Sequence, residues 1–156
     1  FPDCKKGITA LPGMIDAIAE NVVSRGRPFM GICVGMQLMS AVGYEYETTS
    51  GFGWLPGEVI KIKTELKLPH MGWNELSIKS SSHPVLKNVD QGAFFYFVHS
   101  FHMQLTEEKF VLATTDYGDP IAAVVGKDNM IGTQFHPEKS QKMGLLMLEN
   151  FLNWRP

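Results

Sequence analysis

The spacing of apolar positions predicts a helix, a strand and a second helix in the first part of the chain. Over residues 14–25 apolar side chains recur at helical spacing, and Gly26 follows as a typical helix end. The next apolar run, Phe29 to Cys33, has the length and composition of a buried strand. Apolar residues from Met36 to Val42 then predict a second helix, which ends at Gly43.

Later in the chain the pattern changes to short runs that are rich in β-branched and aromatic residues. These runs predict strands: "EVIKIK", "AFFYFVHSFHMQL", "FVLATT", "IAAVVG" and "MIGTQFH". "GKDN" (126–129) predicts a hairpin turn, and the polar connection 80–92 has room for one helical turn. Segment 141–153 carries its large apolar residues on one side and predicts a closing amphipathic helix. The order of elements indicates a single α/β domain, residues 1–156, with a mixed sheet.

Composition narrows the functional classes. The chain has 156 residues, 44% apolar and 19% charged, with a formal charge of -2. These values are typical of a globular protein and argue against a nucleic-acid-binding surface. No apolar run is long enough to span a bilayer. The two cysteines suit a reducing cytosol, and the spacing of cysteine and histidine predicts no metal site.

One cysteine lies where the predicted strand gives way to a helix. The frame Gly31-Ile32-Cys33-Val34-Gly35 matches the nucleophile elbow G-x-S-x-G with sulfur in place of oxygen. In such a turn the flanking glycines allow close backbone approach, the helix N-terminus favours a thiolate, and the Val34 N–H can stabilise an oxyanion. The alternative is that Cys33 is a small core residue, because free cysteine is often buried. A nearby base would decide between the two.

A candidate base follows the last predicted strand, in "GTQFHPEKS". If this segment is extended, His136 and Glu138 point to the same side, so the carboxylate can hold the imidazole. Both would lie at the sheet edge where Cys33 ends its own strand. These residues predict a cysteine hydrolase or acyl-transfer enzyme. The other histidines differ: His99 is expected to be a satisfied polar group in or near the core, whereas His70 lies in "LPHMGWNEL", a cluster that a core does not explain.

With these motifs in view, the sequence resembles the class I, triad-type glutamine amidotransferases. The segments "PFMGICVGMQLM" and "GTQFHPEKS" carry the resemblance, which extends over almost the whole chain. "PHMGWNEL" and "YFVHSF" narrow it to the glutaminase subunits of imidazole glycerol phosphate synthases, in histidine biosynthesis. The resemblance implies a three-layer, flavodoxin-like fold with a mixed central sheet, here N-terminally truncated.

The resemblance also implies a reaction and a partner. Cys33 would attack the side-chain amide of L-glutamine, His136 would protonate the departing ammonia, and Glu138 would hold the imidazole. A γ-glutamyl thioester would then be hydrolysed. The ammonia would pass to a (β/α)8-barrel cyclase subunit in a heterodimer, with no metal or organic cofactor in the glutaminase subunit.

Further roles carry over by position from the same resemblance. Gln37, Ser100 and Phe101 resemble residues that bind glutamine, although relatives usually have tyrosine where this chain has Phe101. A second set resembles the face that meets the barrel: Trp73, Asn74, Tyr96 and Lys139.

One departure from the family leaves alternatives open. Relatives carry a segment before Phe1 with the first sheet strands and a glycine-rich loop that supplies a second oxyanion donor. "FPDCKKGITALPG" therefore reads as the middle of a loop. Losing one such donor costs on the order of 10²–10³ in rate. The chain could then be an inactive remnant that only binds the barrel, a domain of an anthranilate or GMP synthase, or a stand-alone cysteine hydrolase.

Overall fold

The computed structural model describes residues 1–156. The helices are α1 (Pro2–Thr9), α2 (Met14–Ala19), α3 (Val34–Gln37) and α4 (Gln141–Asn153). The first strands are β1 (Phe29–Ile32), β2 (Val42–Gly43), β3 (Thr49–Ser50), β4 (Gly57–Lys61), β5 (His70–Glu75) and β6 (Ser77–Ile78). They are followed by β7 (Phe94–His99), β8 (Phe101–Leu105), β9 (Val111–Asp116), β10 (Pro120–Lys127) and β11 (Met130–Thr133). No helix is both long and apolar enough to cross a membrane.

The largest sheet positions the candidate site. Its five strands lie in the order β1-β11-β10-β9-β6, with β1 and β11 parallel and the remaining pairs antiparallel. Ile32 at the end of β1 lies opposite Thr133 at the end of β11. The residues that follow these two strands therefore emerge at the same edge of the sheet, as expected for parallel neighbours.

Two hydrophobic cores cover the two faces of this sheet. One core packs α4 and the aromatic side chains of β7, Phe95 and Phe97, against Val124 and Ile131. The other packs α3 and the four-stranded sheet β3-β2-β4-β8 against Val125 and its neighbours. Strands β5 and β7 form a separate antiparallel pair. The prediction of an α/β fold with a mixed sheet is confirmed.

Several local predictions are also confirmed. Helix α4 spans the predicted residues, and the 126–129 hairpin turn joins β10 to β11, with Asp128 in the left-handed region. One 3₁₀ turn, Pro84–Leu86, lies in the polar connection. The predicted helix 14–25 is present as α2 and continues in wider π-helical turns to Ser24.

Other local predictions are wrong. The second helix ends at Gln37 rather than at Gly43, because Val42 leaves the helix to pair with Glu58 of β4 and Ser50 of β3. Residues Pro2–Thr9 form a helix rather than a loop, with proline at the helix start and an acidic residue in the first turn.

Candidate active site

Cys33 lies in a strained turn between β1 and α3. Its backbone adopts φ 53° and ψ -109°, a region that side chains other than glycine rarely occupy and that costs about 1–3 kcal/mol. Hydrogen bonds hold the turn: the Cys33 N–H donates to the Thr133 carbonyl at 2.7 Å, and the Gln37 N–H donates to the Cys33 carbonyl at 3.1 Å. The predicted elbow is present, and the sheet fixes it.

The two glycines that flank the elbow have different roles. A Cβ built on Gly31 would lie 2.6 Å from the Gly35 carbonyl group and 2.7 Å from the Met36 nitrogen. A Cβ built on Gly35 would have no heavy atom within 4 Å. Close approach between strand and helix therefore requires glycine at position 31 alone, whereas the elbow pattern predicted that need at both positions.

The segment His136-Pro137-Glu138 reaches its geometry through a turn rather than an extended strand. β11 ends at Thr133, and Pro137–Lys139 form a 3₁₀ turn. His136 Nδ1 nevertheless lies 2.8 Å from Glu138 Oε1. Because a carboxylate only accepts hydrogen bonds, Nδ1 carries the proton and Nε2 of the neutral ring is left as the basic nitrogen.

Neighbouring elements hold this turn in place. The His136 N–H donates to the Tyr96 carbonyl at 2.9 Å, and the Ser140 hydroxyl donates to the His136 carbonyl at 2.6 Å. Helix α4 packs so closely that a Cβ on Gly144 would lie 2.0 Å from the Pro137 carbonyl oxygen. Gly144 is thus a site-positioning residue that the sequence pattern did not reveal.

Burial raises the pKa of the Cys33 thiol, and the negative charge of Glu138 raises it further. The Val34 N–H and the Gln134 side chain act in the opposite direction. Gln134 Nε2 lies 3.9 Å from Cys33 Sγ, and no side-chain hydrogen bond joins Sγ to His136. The expectation that the helix terminus favours a thiolate is therefore outweighed by burial. The thiol needs a base to take its proton.

Gln37 connects this region to the start of β8. Its side chain is buried, and Nε2 donates to the Phe101 carbonyl at 2.9 Å and to Gln134 Oε1 at 3.1 Å. Ser100 lies between β7 and β8, next to Phe101. The structure thus brings Gln37 and the Ser100–Phe101 segment to the same side of Cys33. It adds Gln134, which lies two residues before His136 and which the sequence pattern did not single out.

The candidate partner face lies on β5 and β7. Trp73 and Tyr96 are opposite each other in the register, with ring centroids 6.0 Å apart. Met71 and Phe94 lie on the same face and are 61% and 53% exposed, so they extend an apolar surface that the sequence indicated only in part. Lys139 is exposed in the 3₁₀ turn, whereas Asn74 lies on the inward face of β5.

No group of three or more histidine, cysteine, aspartate or glutamate side chains is close enough together to hold a metal ion. The chemistry available at the site is therefore that of a buried thiol, an imidazole held by a carboxylate, and backbone and amide N–H donors.

Comparison with known families decides which group of proteins uses this arrangement. A family model described as "Glutamine amidotransferase class-I" matches residues 6–154. The chain belongs to the class-I glutamine amidotransferases. This amidotransferase is 51% identical to the imidazole glycerol phosphate synthase subunit HisH of Cereibacter sphaeroides, over all of this chain and 74% of that protein. It is 52% identical to the HisH protein of Rhodopseudomonas palustris, with the same coverage.

Solved structures agree on the fold of this amidotransferase. A Thermoplasma acidophilum protein described as a putative component of GMP synthase superposes with a TM-score of 0.66 at 19% identity, over 94% of this chain and 66% of that one. A glutamine amidotransferase from Thermotoga maritima gives a TM-score of 0.60 at 17% identity, over 98% of this chain and 55% of that one. The family resemblance drawn from the two motifs is confirmed.

Proposed function

We propose that this chain is the glutaminase subunit of an imidazole glycerol phosphate synthase and acts in histidine biosynthesis. The observation that carries the proposal is about half identity, over the whole chain, to subunits of that name. The geometry around Cys33 is consistent with this function, because it offers a thiol, a held imidazole and amide donors at one sheet edge. The reaction would convert L-glutamine and water to glutamate and ammonia.

In the proposed reaction Cys33 is the nucleophile and His136 the base. Nε2 of His136 takes the thiol proton while sulfur forms a bond to the side-chain amide carbon of glutamine. The Val34 N–H, which already acts on the sulfur, would donate to the oxyanion that develops. The carbon–nitrogen bond then breaks, and the His136 imidazolium gives its proton to the departing ammonia. A γ-glutamyl thioester remains on Cys33.

Hydrolysis of the thioester completes the cycle. His136 takes a proton from water as the hydroxyl attacks the thioester carbon, the carbon–sulfur bond breaks, and sulfur recovers a proton. Glu138 would stabilise the imidazolium in both half-reactions through its 2.8 Å contact with Nδ1. Because no hydrogen bond joins Cys33 to His136 here, the pair would have to approach when glutamine binds, as such contacts often do.

Substrate binding is assigned to the residues beside Gln37. Its amide and the backbone of Ser100 and Phe101 would hold the α-amino acid end of glutamine, with the reacting amide at Cys33. The hydroxyl that relatives carry at position 101 is not needed if the contact is made by the backbone.

We further propose that the apolar face on β5 and β7 meets a (β/α)8-barrel cyclase, which receives the ammonia. Trp73 and Tyr96 would be central to this interface because large, partly exposed aromatics dominate interface energies. Lys139 would contact the barrel beside the catalytic turn, and Asn74 would lie behind the contact. We expect the heterodimer to be cytoplasmic, where the free thiols stay reduced.

Glutamate release is the test of this function. The chain, alone and with a barrel cyclase, is incubated with glutamine, and glutamate is measured against a Cys33→Ser variant and a Cys4→Ser control. We expect release that Cys33→Ser abolishes and Cys4→Ser keeps, and that increases with the cyclase. Equal release from wild type and Cys33→Ser would contradict the proposal. A chain that binds the cyclase without releasing glutamate would favour the inactive remnant.

A further inference from the structure

Two buried histidines lie opposite each other on the inward face of β5 and β7, and the proposed reaction does not use them. His70 is 3% exposed and His99 is 6% exposed, and the two are paired in the strand register. His70 Nδ1 lies 2.9 Å from His99 Nε2. A buried imidazole pair needs a defined pattern of donors and acceptors, since an unsatisfied buried polar atom is costly.

The surrounding groups fix the direction of every hydrogen bond in this pair. His99 Nδ1 lies 2.9 Å from the Phe101 carbonyl, which can only accept, so Nδ1 carries the proton. Nε2 of the neutral His99 ring is then an acceptor, and His70 must donate to it from Nδ1. His70 Nε2 in turn accepts from the Asn74 side-chain amide at 3.2 Å, whose second N–H donates to the Asp116 carbonyl at 2.7 Å.

The Phe101 carbonyl also ends a second set of hydrogen bonds, which begins at the candidate nucleophile. Gln37 Nε2 donates one N–H to this carbonyl and the other to Gln134 Oε1. Gln134 Nε2 then points at Cys33 Sγ, 3.9 Å away. The Phe101 carbonyl therefore accepts from His99 on one side and from Gln37 on the other, which uses both of its lone pairs.

We propose that His70 and His99 are positioning residues, whose hydrogen bonds hold the Phe101 carbonyl as the anchor for Gln37 and thereby fix Gln134 beside Cys33. The inference rests on the proposed glutaminase function for its effect on catalysis. The hydrogen-bonded set is called the relay, and its members are Asn74, His70, His99, Phe101, Gln37 and Gln134.

Packing supports a fixed role for the two rings. The His70 ring stacks on Phe97, with centroids 4.7 Å apart, and on Tyr117, with centroids 4.0 Å apart. Burial lowers the pKa of both histidines to about 4, so both are neutral at pH 7 and keep the donor and acceptor pattern that the relay requires. A ring held between two aromatic faces has little freedom to exchange its two nitrogens.

The tautomers can be measured whether or not the chain turns over glutamine. Long-range ¹H–¹⁵N spectra of the full chain at pH 7 report which imidazole nitrogen carries the proton. We expect both His70 and His99 to be neutral and protonated at Nδ1. We also expect His99→Leu to shift the Gln37 side-chain amide resonances. An Nε2-protonated His99, or unchanged Gln37 resonances in His99→Leu, would overturn the relay.

Kinetics then test the positioning role. Asparagine places its side-chain N–H near the position of histidine Nδ1, so His99→Asn keeps the donor to the Phe101 carbonyl, whereas His99→Leu removes it. Because one hydrogen bond is worth about 1 kcal/mol, we expect His99→Leu to raise the KM for glutamine about fivefold to tenfold with a smaller change in kcat. His99→Asn should recover most of the KM.

His102→Leu is the matched control. His102 is another largely buried histidine, but its Nδ1 has no hydrogen-bond partner and it is outside the relay. It should leave the KM for glutamine unchanged. Equal KM values in His99→Leu and wild type, with both chains folded, would refute the positioning role. Absence of turnover in wild type would refute the proposed function instead, and the tautomer measurement would still decide the relay.

Discussion

Alanine at position 31 and alanine at position 35 should change the free energy of unfolding in opposite directions. In Gly31→Ala the new Cβ would lie 2.6 Å from backbone atoms of Gly35, whereas non-bonded carbon atoms prefer about 3.5–4.0 Å. The elbow helix would have to move away from β1 by about 1 Å. Overpacking of this kind costs about 1–3 kcal/mol, and here the contact is with backbone that has no rotamer to change.

The same shift should slow the proposed reaction. A displacement of about 1 Å at a reacting group can cost on the order of 10² in rate, and Cys33 lies between the strand and the helix that would separate. We therefore expect Gly31→Ala to lower glutamate release on that order, even at temperatures where the variant is fully folded.

Gly35→Ala is the control within the same motif. Its Cβ would have no heavy atom within 4 Å, and alanine is favoured over glycine in a helix by up to about 1 kcal/mol. Urea unfolding followed by circular dichroism measures both variants. We expect destabilisation by Gly31→Ala and unchanged or greater stability in Gly35→Ala. Equal destabilisation by the two alanines would refute the strand–helix contact as the reason for glycine at position 31.

Three further predictions concern the surroundings of the site. Gly144→Ala should destabilise the fold by about 1–3 kcal/mol and slow glutamate release, because its Cβ would collide with the carbonyl of the catalytic turn; urea unfolding and the release assay measure both effects. Glu138→Gln should lower the pKa of the Cys33 thiol, measured from the pH dependence of alkylation, because the carboxylate charge raises it. The same variant should nevertheless reduce turnover, on the order of 10²-fold or more, because the imidazolium loses its partner. The pKa values of His70 and His99 fall from 6.5 to about 4 on folding. Between these pH values the unfolded chain therefore binds more protons, so stability is complete above pH 6.5 and is lost towards pH 4, by at most about 1.4 kcal/mol per pH unit for each histidine. Replacing both by leucine should flatten this dependence in urea titrations, and an unchanged slope would contradict neutral burial.

Residues that act through local sequence could be predicted without the structure. The frame around Cys33 identified the elbow because glycine spacing and an apolar run are local signals. His136 and Glu138 were found for the same reason, and they do contact each other, although through a 3₁₀ turn rather than an extended strand. Helix α4 was predicted correctly because its apolar positions keep helical spacing over thirteen residues.

Features that depend on distant contacts could not be predicted. Gln134 joins Gln37 across 97 residues of sequence, and His70 joins His99 across 29, through a strand pairing that the composition of "LPHMGWNEL" did not reveal. The segment after Gln37 keeps an apolar pattern typical of a helix. It leaves the helix because Val42 completes a small sheet with β3 and β4, which is a tertiary contact.

Intact mass after treatment with a glutamine-mimicking diazoketone tests the central claim most directly. The reagent is applied to the wild-type chain, to Cys33→Ser and to Cys4→Ser, each in the presence of a barrel cyclase. We predict one adduct on wild type and on Cys4→Ser and none on Cys33→Ser, because only Cys33 lies in the proposed glutamine site. An adduct on Cys33→Ser, or no adduct on a folded wild-type chain, would contradict the assignment of Cys33 as the nucleophile.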